Sequence, residues 1–366
     1  MKLWTVASAC GVGIAVGCSS SPNPPPVGQP PPAPTTMTTA PSSKIETFAV
    51  QTLFLGETDR TGSTGTPNPW KTYGYNLDGL VTTETSTNVC TLAANAPTLN
   101  QVDGNSGIDN AFGSIILPII ENTGSPLTPS AEISQEIDKG EFTILIQVTG
   151  LDDTPAQSST GLAGQVFGGG AYPGGMPAFT SATDWPVAPQ LLNDYQNGMC
   201  PPSGCVVSSG SQVQFPAGYM TGGTFVSGNL EAGGVTLALT LDFEGVTMTL
   251  PLNHAVISFD HTTPTTATNG TIAGVIDTMQ LINGLKSAAG RISTSLCGPA
   301  FDGLAQQIMQ ASDILADGSN MAGVPCTGIS FGIGFTAVLV ANPDMVASVP
   351  AVVPPDPCAS SDAGEQ

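Results

Sequence analysis

Oxygen-bearing side chains at alternate positions carry the strongest chemical signal in this chain. Asn76-Leu77-Asp78-Gly79 is followed by Asp103-Gly104-Asn105-Ser106-Gly107-Ile108-Asp109-Asn110, an acidic stretch punctuated by glycine. Calcium takes roughly six to eight hard oxygens on loops of this kind, so Asp78, Asp103, Asn105 and Asp109 are candidate calcium ligands. The stretch lacks the twelfth-position glutamate of an EF-hand and only loosely follows an Asp-x-Asn-x-Gly calcium turn. The competing reading is that these side chains cap a helix starting at Ile108 or shape turns. Trp70, Tyr73 and Tyr75 lie just upstream. Beside a calcium loop they would form a stacking platform for a sugar, although clustered tyrosines equally serve as packing.

Patterns associated with covalent catalysis do not fit their context. Gly328-Ile329-Ser330-Phe331-Gly332 matches the Gly-x-Ser-x-Gly nucleophile elbow, which needs a sharp strand-to-helix turn. Here Ile329, Phe331, Ile333 and Phe335 alternate with small residues, so Ser330 is expected inside a strand, on the face opposite the apolar one. His254 and His261 are the two histidines, and Asp260 adjoins His261, but neighbours on a strand point to opposite faces. Asp242 and Glu244 could pair for glycoside hydrolysis, yet they flank a turn. Gly168-Gly169-Gly170-Ala171-Tyr172-Pro173-Gly174-Gly175 lacks the Gly-Lys-Ser/Thr ending of a phosphate cradle. No catalytic residue is assigned.

The elements that must position these residues are mostly strands. Val235 to Phe243 and Val246 to Leu252 alternate apolar and polar about Glu244-Gly245, as a hairpin does. Similar runs occur at 142–148, 255–259 and 329–337. With no series of strand-then-helix units, the expected fold is mainly β, an antiparallel β-sandwich or jelly roll with helical inserts. Helices are expected near 108–139 and 278–315. The sharpest runs over 129–139, with Thr128 as N-cap, Pro129 in the first turn and Gly140 as the left-handed stop. Leu304, Ile308, Ala311 and Leu315 keep a helical stripe. Residues 150–222, rich in glycine and weak in periodicity, are expected as long loops over one end of the sandwich.

The N-terminal region sets the cellular context. Lys2 precedes a short apolar stretch ending Ile14-Ala15-Val16-Gly17-Cys18, too short for a membrane span of roughly 20 apolar residues but suited to a cleaved leader. These residues resemble the lipobox of bacterial lipoproteins. The resemblance implies removal of residues 1–17, lipidation of Cys18 and a lipid-anchored protein; Ser19 in place of an aspartate implies sorting to the outer membrane. Residues 18–44, rich in Pro, Ser and Thr, are expected as a disordered tether. At about 3.1 Å per residue, about 25 such residues reach roughly 70 to 80 Å. The folded part is expected over 45–345, with a Pro-rich tail over 346–366.

Charge and cysteine content narrow the partners. With 28 acidic and 7 basic residues the chain offers no cationic surface for nucleic acid. Contact with the membrane is expected through the lipid alone. Setting Cys10 and Cys18 apart from the eight cysteines leaves Cys90, Cys200, Cys205, Cys297, Cys326 and Cys358, an even set that reads as disulfides of an exported protein. The expected pairs are Cys200–Cys205 across a tight turn, Cys297–Cys326 around the helical segment, and Cys90–Cys358. A zinc site has no Cys-x2-Cys pair to support it.

The order Trp70, Tyr75 to Gly79, Cys90, Asp103-Gly104, Gly107 to Asn110, Ile144 to Asp152 and Cys326 to Phe335 resembles that of a group of uncharacterised exported lipoproteins of soil bacteria, over most of residues 45–340. The resemblance implies no particular activity or ligand. The expectation is a lipid-anchored structural or binding module of the cell envelope, more a binder than an enzyme, facing polysaccharide or an envelope protein. The alternative is a secreted carbohydrate-binding protein or hydrolase with a calcium-supported loop.

Overall fold

The computed structural model describes residues 28–121, 128–228, 230, 233–243, 246–292, 297–348 and 358. Nine antiparallel strands form one sheet in the order β5-β4-β3-β2-β1-β9-β8-β7-β6. They are β1 (Ile45–Phe54), β2 (Thr143–Thr149), β3 (Ser159–Gly169), β4 (Gln214–Thr221), β5 (Thr224–Val226), β6 (Val235–Phe243), β7 (Val246–Thr263), β8 (Thr266–Asp277) and β9 (Gly328–Val340). Because β5 also pairs with β7, through Thr224–Asp260, Phe225–Phe259 and Val226–Ser258, the sheet closes into an eight-stranded barrel. The mainly β expectation holds, but the sandwich or jelly roll does not. Closure of one sheet on itself pairs the β5 edge with β7 and leaves β6 outside the ring, hydrogen-bonded to β7 alone among the described residues. The length of β7 follows from this closure, since one edge serves β5 near its end and β6 over Val246 to Ala255.

Alternation along the strands fills the lumen. Phe48, Phe215, Phe225, Phe259 and Phe335 form a continuous aromatic column, with ring centroids 5.5 Å apart for Phe48–Phe259, 4.9 Å for Phe225–Phe259 and 5.6 Å for Phe215–Phe225. The void between Ile144, Val166, Ile257 and Ile272 amounts to about 20 Å³, the room of a single water. An apolar lumen under an outer wall covered by chain is the reverse of a membrane-spanning barrel. At one end a π-helical turn (Phe112–Ile116) continues into α1 (Leu117–Glu121) and, with α2 (Pro129–Lys139), α3 (Thr278–Ile292) and α4 (Pro299–Gln310), adds Ile116, Leu117, Ile137, Leu281 and Phe301 to the core. Helix α2 begins where Thr128 Oγ1 accepts from the Ala131 N–H and stops at Gly140, at φ 84°. The expected stripe is cut short, because the helix ends at Gln310 and Leu315 lies in a turn beyond it.

Two regions depart from their sequence reading. Residues 150–222 are not loops throughout, since β3 and β4 lie inside them. The glycines that blur the pattern are packing sites: a Cβ on Gly164 would stand 2.3 Å from the Phe215 ring, and one on Gly169 2.8 Å from the Trp185 indole. From Gly28 onward the segment expected as free tether is hydrogen-bonded to the body of the protein at several points. The disulfides are Cys90–Cys326, Cys200–Cys205 and Cys297–Cys358. The expected Cys297–Cys326 and Cys90–Cys358 pairs are exchanged, because Thr91 pairs with the chain at Pro325 and brings Cys90 to Cys326. Three disulfides are in keeping with an oxidising, exported setting.

Candidate functional site

The outward face of β9 explains the Gly-x-Ser-x-Gly pattern. Ile329, Phe331, Ile333 and Phe335 point into the barrel, while Gly328, Ser330, Gly332 and Gly334 keep the outer face flat. The segment from Trp70 to Ala111 lies on that face. A Cβ on Gly332 would meet Tyr73 O at 2.4 Å, and one on Gly334 would meet the Tyr73 ring at 2.4 Å. Asn110, 2% exposed, fastens the two layers. Its Nδ2 donates to Trp70 O, Tyr73 O and Gly332 O at 3.2, 3.1 and 3.0 Å, while its Oδ1 accepts from the N–H groups of Gly113 and Gly332 at 2.9 and 3.1 Å. Ser330 is fully buried beneath this layer. Its hydroxyl donates to Asp313 Oδ2 at 2.5 Å and accepts from the Ala111 N–H at 2.8 Å, a structural tie closed to any substrate.

Around Ser330 the same layer gathers acids. Asp78, Asp103 and Asp109 come together with Asp313, whereas Asn105 sits in an exposed turn with no part in the group. Leu77 N–H donates to Asp109 Oδ2 at 2.6 Å and Thr82 N–H to Asp103 Oδ2 at 2.5 Å. Asp78 accepts from Leu80 N–H at 2.7 Å and Asn320 Nδ2 at 2.8 Å. Asp103 is also hydrogen-bonded to Asp109, which requires a proton between the two carboxyls. Burial, reinforced by the charge of Asp78, pushes Asp103 up to about 7. Burial likewise lifts Asp313 to about 7, against the hydrogen bonds from Ser330 and with the charges of Asp103 and Asp78 adding to the rise. Asp109, 3% exposed, is raised well above the usual carboxylate range by burial and then by Asp78, Asp103 and Asp313. Among the described residues no three His, Cys, Asp or Glu side chains are arranged to hold a metal ion. The carboxyl oxygens accept from the N–H groups of Leu77, Thr82, Leu80 and Ser330 and from the Ser330 hydroxyl, and burial favours the protonated form of Asp103, Asp109 and Asp313.

The aromatic trio does not form a platform. Tyr73 is fully buried, donates to Thr58 O at 2.9 Å, stacks on Phe54 and carries Arg60 at 5.0 Å from its ring centre. Tyr75 is tied to Ser258 through their hydroxyls at 2.5 Å, and Trp70 lies half-buried beside Lys71. The histidines are apart. His254 sits at a bulge of β7 at φ 47°, and burial lowers its pKa. His261 lies in the lumen, its Nε2 4.0 Å from Glu46 Oε2, with Glu46 Oε1 ion-paired to Lys44 at 2.9 Å. Asp260 points the other way, accepting from Thr224 and Asn269. Cys18, Glu244 and the side chain of Asp242 lie outside the described residues.

One open surface has the build of a binding site. Across the outer wall of β2 and β3 a groove of about 580 Å³ is lined by Gln147, Gln165, Phe167, Val207, Ser208 and Asp344, among others. Gln147 and Gln165 on its floor begin a ladder of side chains that runs on to Thr47, which is fully buried. Gln165 Nε2 donates to Gln147 Oε1 at 2.8 Å, Gln147 Nε2 to Thr47 Oγ1 at 3.1 Å, and Thr47 Oγ1 to Asn342 Oδ1 at 2.8 Å. Gln165 Oε1 also accepts from the Ser211 N–H at 2.9 Å, and each carboxamide carries a second N–H and a second lone pair on its oxygen. At the rim the carboxyl of Asp184 is raised by burial and by its hydrogen bond to Asp344. The Cys200–Cys205 bridge braces the adjoining loop, where Asp194 accepts from Val206 N–H at 2.9 Å and Ser209 Oγ at 3.0 Å. Sequence reading missed this surface, because residues adjacent on a sheet are far apart in the chain. It missed Asn110, Asp313 and Glu46 as well; only alternation from Phe48 could have placed Glu46 in the lumen.

No family model matches the chain, and no match is found among curated proteins or solved structures.

Proposed function

We propose that the protein is an exported, lipid-anchored module of the cell envelope that binds its partner without transforming it, and that the groove over β2 and β3 takes a hydroxyl-rich polysaccharide. The observation that carries the reading is the ladder of carboxamides on an open floor, with Phe167 beneath and Asp344 at the rim. Carboxamides both donate and accept, as sugar hydroxyls do, and the flanking acids accept further hydroxyl donors without attracting anions. The burial of Ser330 and the seclusion of His261 in the lumen supply no reacting group to this floor. The lipobox residues ending at Cys18 support anchoring after removal of residues 1–17, Ser19 supports the outer membrane, and the three disulfides suit that compartment. Envelope protein is the competing occupant.

Calorimetric titration of the purified protein with envelope and extracellular polysaccharides tests the groove. A binding glycan is expected, with affinity lowered about tenfold by Gln165→Leu, the loss of one or two net hydrogen bonds. Binding that Gln165→Leu and Gln147→Leu leave unchanged would sink the assignment of the groove. Metabolic labelling with a fatty acid is expected to mark the wild type and not Cys18→Ser; equal labelling of both would refute lipidation at that residue.

A further inference from the structure

The segment between the proposed anchor and β1 is fixed along its described length. Gly28 O accepts from Asn76 N–H at 2.7 Å, and Gln29 Nε2 donates to Asn76 O at 2.5 Å. Gly28 lies at φ 91°, and a Cβ there would stand 2.6 Å from Ser106 O, so only glycine fits. Tyr219, 5% exposed, donates its hydroxyl to Pro31 O at 2.7 Å. Further along, Thr38 N–H donates to Ser158 O at 2.8 Å, Thr39 Oγ1 to Asp152 Oδ2 at 2.8 Å, and Ser42 Oγ to Leu151 O at 2.6 Å. Lys44 then bridges Asp153 and Glu46. A polypeptide held at both ends and between them is a strap, and it removes these residues from any free tether.

From these contacts we infer that residues 28–44 shorten the membrane leash to the stretch between Cys18 and Gly28 and turn the polysaccharide groove away from the bilayer. The inference rests on the anchoring proposed above. Ten residues at about 3.6 Å each extend no further than roughly 36 Å, so the point where the leash joins the barrel is held within that distance of the lipid surface. The leash arrives at Asn76, and the adjoining Leu77 packs with Val256 of β7 and Val275 of β8, while Tyr75 is bonded to Ser258 of β7. In the closed ring β1-β2-β3-β4-β5-β7-β8-β9, β7 and β8 stand across the barrel from β2 and β3, which carry Gln147 and Gln165. The wall nearest the lipid is therefore the one opposite the groove. A lipid surface is the partner of the Asn76 face, and soluble or neighbouring glycan that of the other.

The full acylated chain in phosphatidylcholine vesicles with an energy-transfer acceptor on the headgroups tests this. A fluorophore is introduced through an encoded bioorthogonal amino acid at Val81, 62% exposed beside Gly107, or at exposed Ser208 in the groove. Transfer is expected to be several-fold stronger from position 81 than from 208. Tyr219→Phe combined with Gln29→Ala keeps the tyrosine ring but frees the start of the strap, and is expected to bring the two signals together. Equal transfer from both sites in the vesicle-bound wild type, or a ratio indifferent to the double variant, overturns the orientation while leaving the anchor intact. A chain that carries no acyl mass and stays in solution overturns the anchor, and the orientation with it.

Discussion

Asp313→Asn, followed across pH, tests whether the buried acids are held as a protonated cluster. In the unfolded chain Asp313 titrates near 3.8, and in the folded protein near about 7. Between these values the folded state binds protons that the unfolded state has released, so the group's contribution to stability falls as pH rises from about 4 to about 7. A shift of about three units at about 1.36 kcal/mol each would reach about 4 kcal/mol for an isolated group. Part of that rise is owed to the charges of Asp103 and Asp78, and Asp103 itself titrates at about 7, so roughly 2 kcal/mol is the expected share of Asp313. The amide that replaces the carboxyl carries no charge at any of these values, and it keeps an acceptor for the Ser330 N–H while losing that for the Ser330 hydroxyl. The variant should therefore be less stable than wild type by about 1 kcal/mol at about pH 4.5 and gain on it by roughly 2 kcal/mol by about pH 8. Urea unfolding at closely spaced pH values, disulfides intact, reads this difference, and the low-pKa carboxylates elsewhere cancel between the two proteins. Parallel stability curves would refute the protonated cluster.

Four further outcomes follow from the same geometry. Asn110→Ala strands buried backbone groups of Trp70, Tyr73, Gly113 and Gly332 and should cost about 3 kcal/mol or more by chemical denaturation; a loss under about 1 kcal/mol would show that water replaces the amide. Gly332→Ala drives a methyl against Tyr73 O and should loosen the 70–111 layer, read as faster amide exchange at Tyr73 and Leu77, whose N–H groups bond to Trp70 O and Asp109, with the lumen strands still protected. Removing Cys90–Cys326, which spans 236 residues, should lower stability by about 2 to 5 kcal/mol, and removing Cys200–Cys205, which spans 5, by distinctly less. Added calcium should leave the unfolding midpoint where a chelator leaves it; a rise abolished by Asp103→Asn would reinstate the acidic loop as a metal site.

Parts of this architecture are legible in the sequence because one physical cause dominates them. Helix α2 is marked by Thr128, Pro129 and Gly140 acting locally, and β9 by the alternation of Ile329, Phe331, Ile333 and Phe335, one face apolar and one nearly bare. The hairpin of β6 and β7 pairs Phe243 with Val246 across the expected turn. Where the cause is non-local, the pattern fades. β3 hides behind Gly161, Gly164, Gly168 and Gly169; of these, Gly164 and Gly169 are small because Phe215 and Trp185 come from elsewhere to lie on them. Closure into a barrel depends on three residue pairs between β5 and β7, and nothing in Thr224-Phe225-Val226 announces its partner. The acidic stretch shows its Asp78, Asp103 and Asp109 in sequence, but whether they bind a cation or share protons is decided by Asp313 and by backbone donors that only the fold supplies.

The pairing of β1 with β9 governs the order in which this molecule can be made. Phe48 lies beside Leu339 and Leu53 beside Phe335, so the first strand of the barrel waits for the last. Until residues 328–340 are present, β1 and β8 each expose an unpaired edge backed by an apolar face, which invites association with other chains. Contacts of such sequence separation are slow to form. Cys90 meets Cys326 just before β9 begins at Gly328, so that bridge fixes the entry of the last strand to the layer lying outside it.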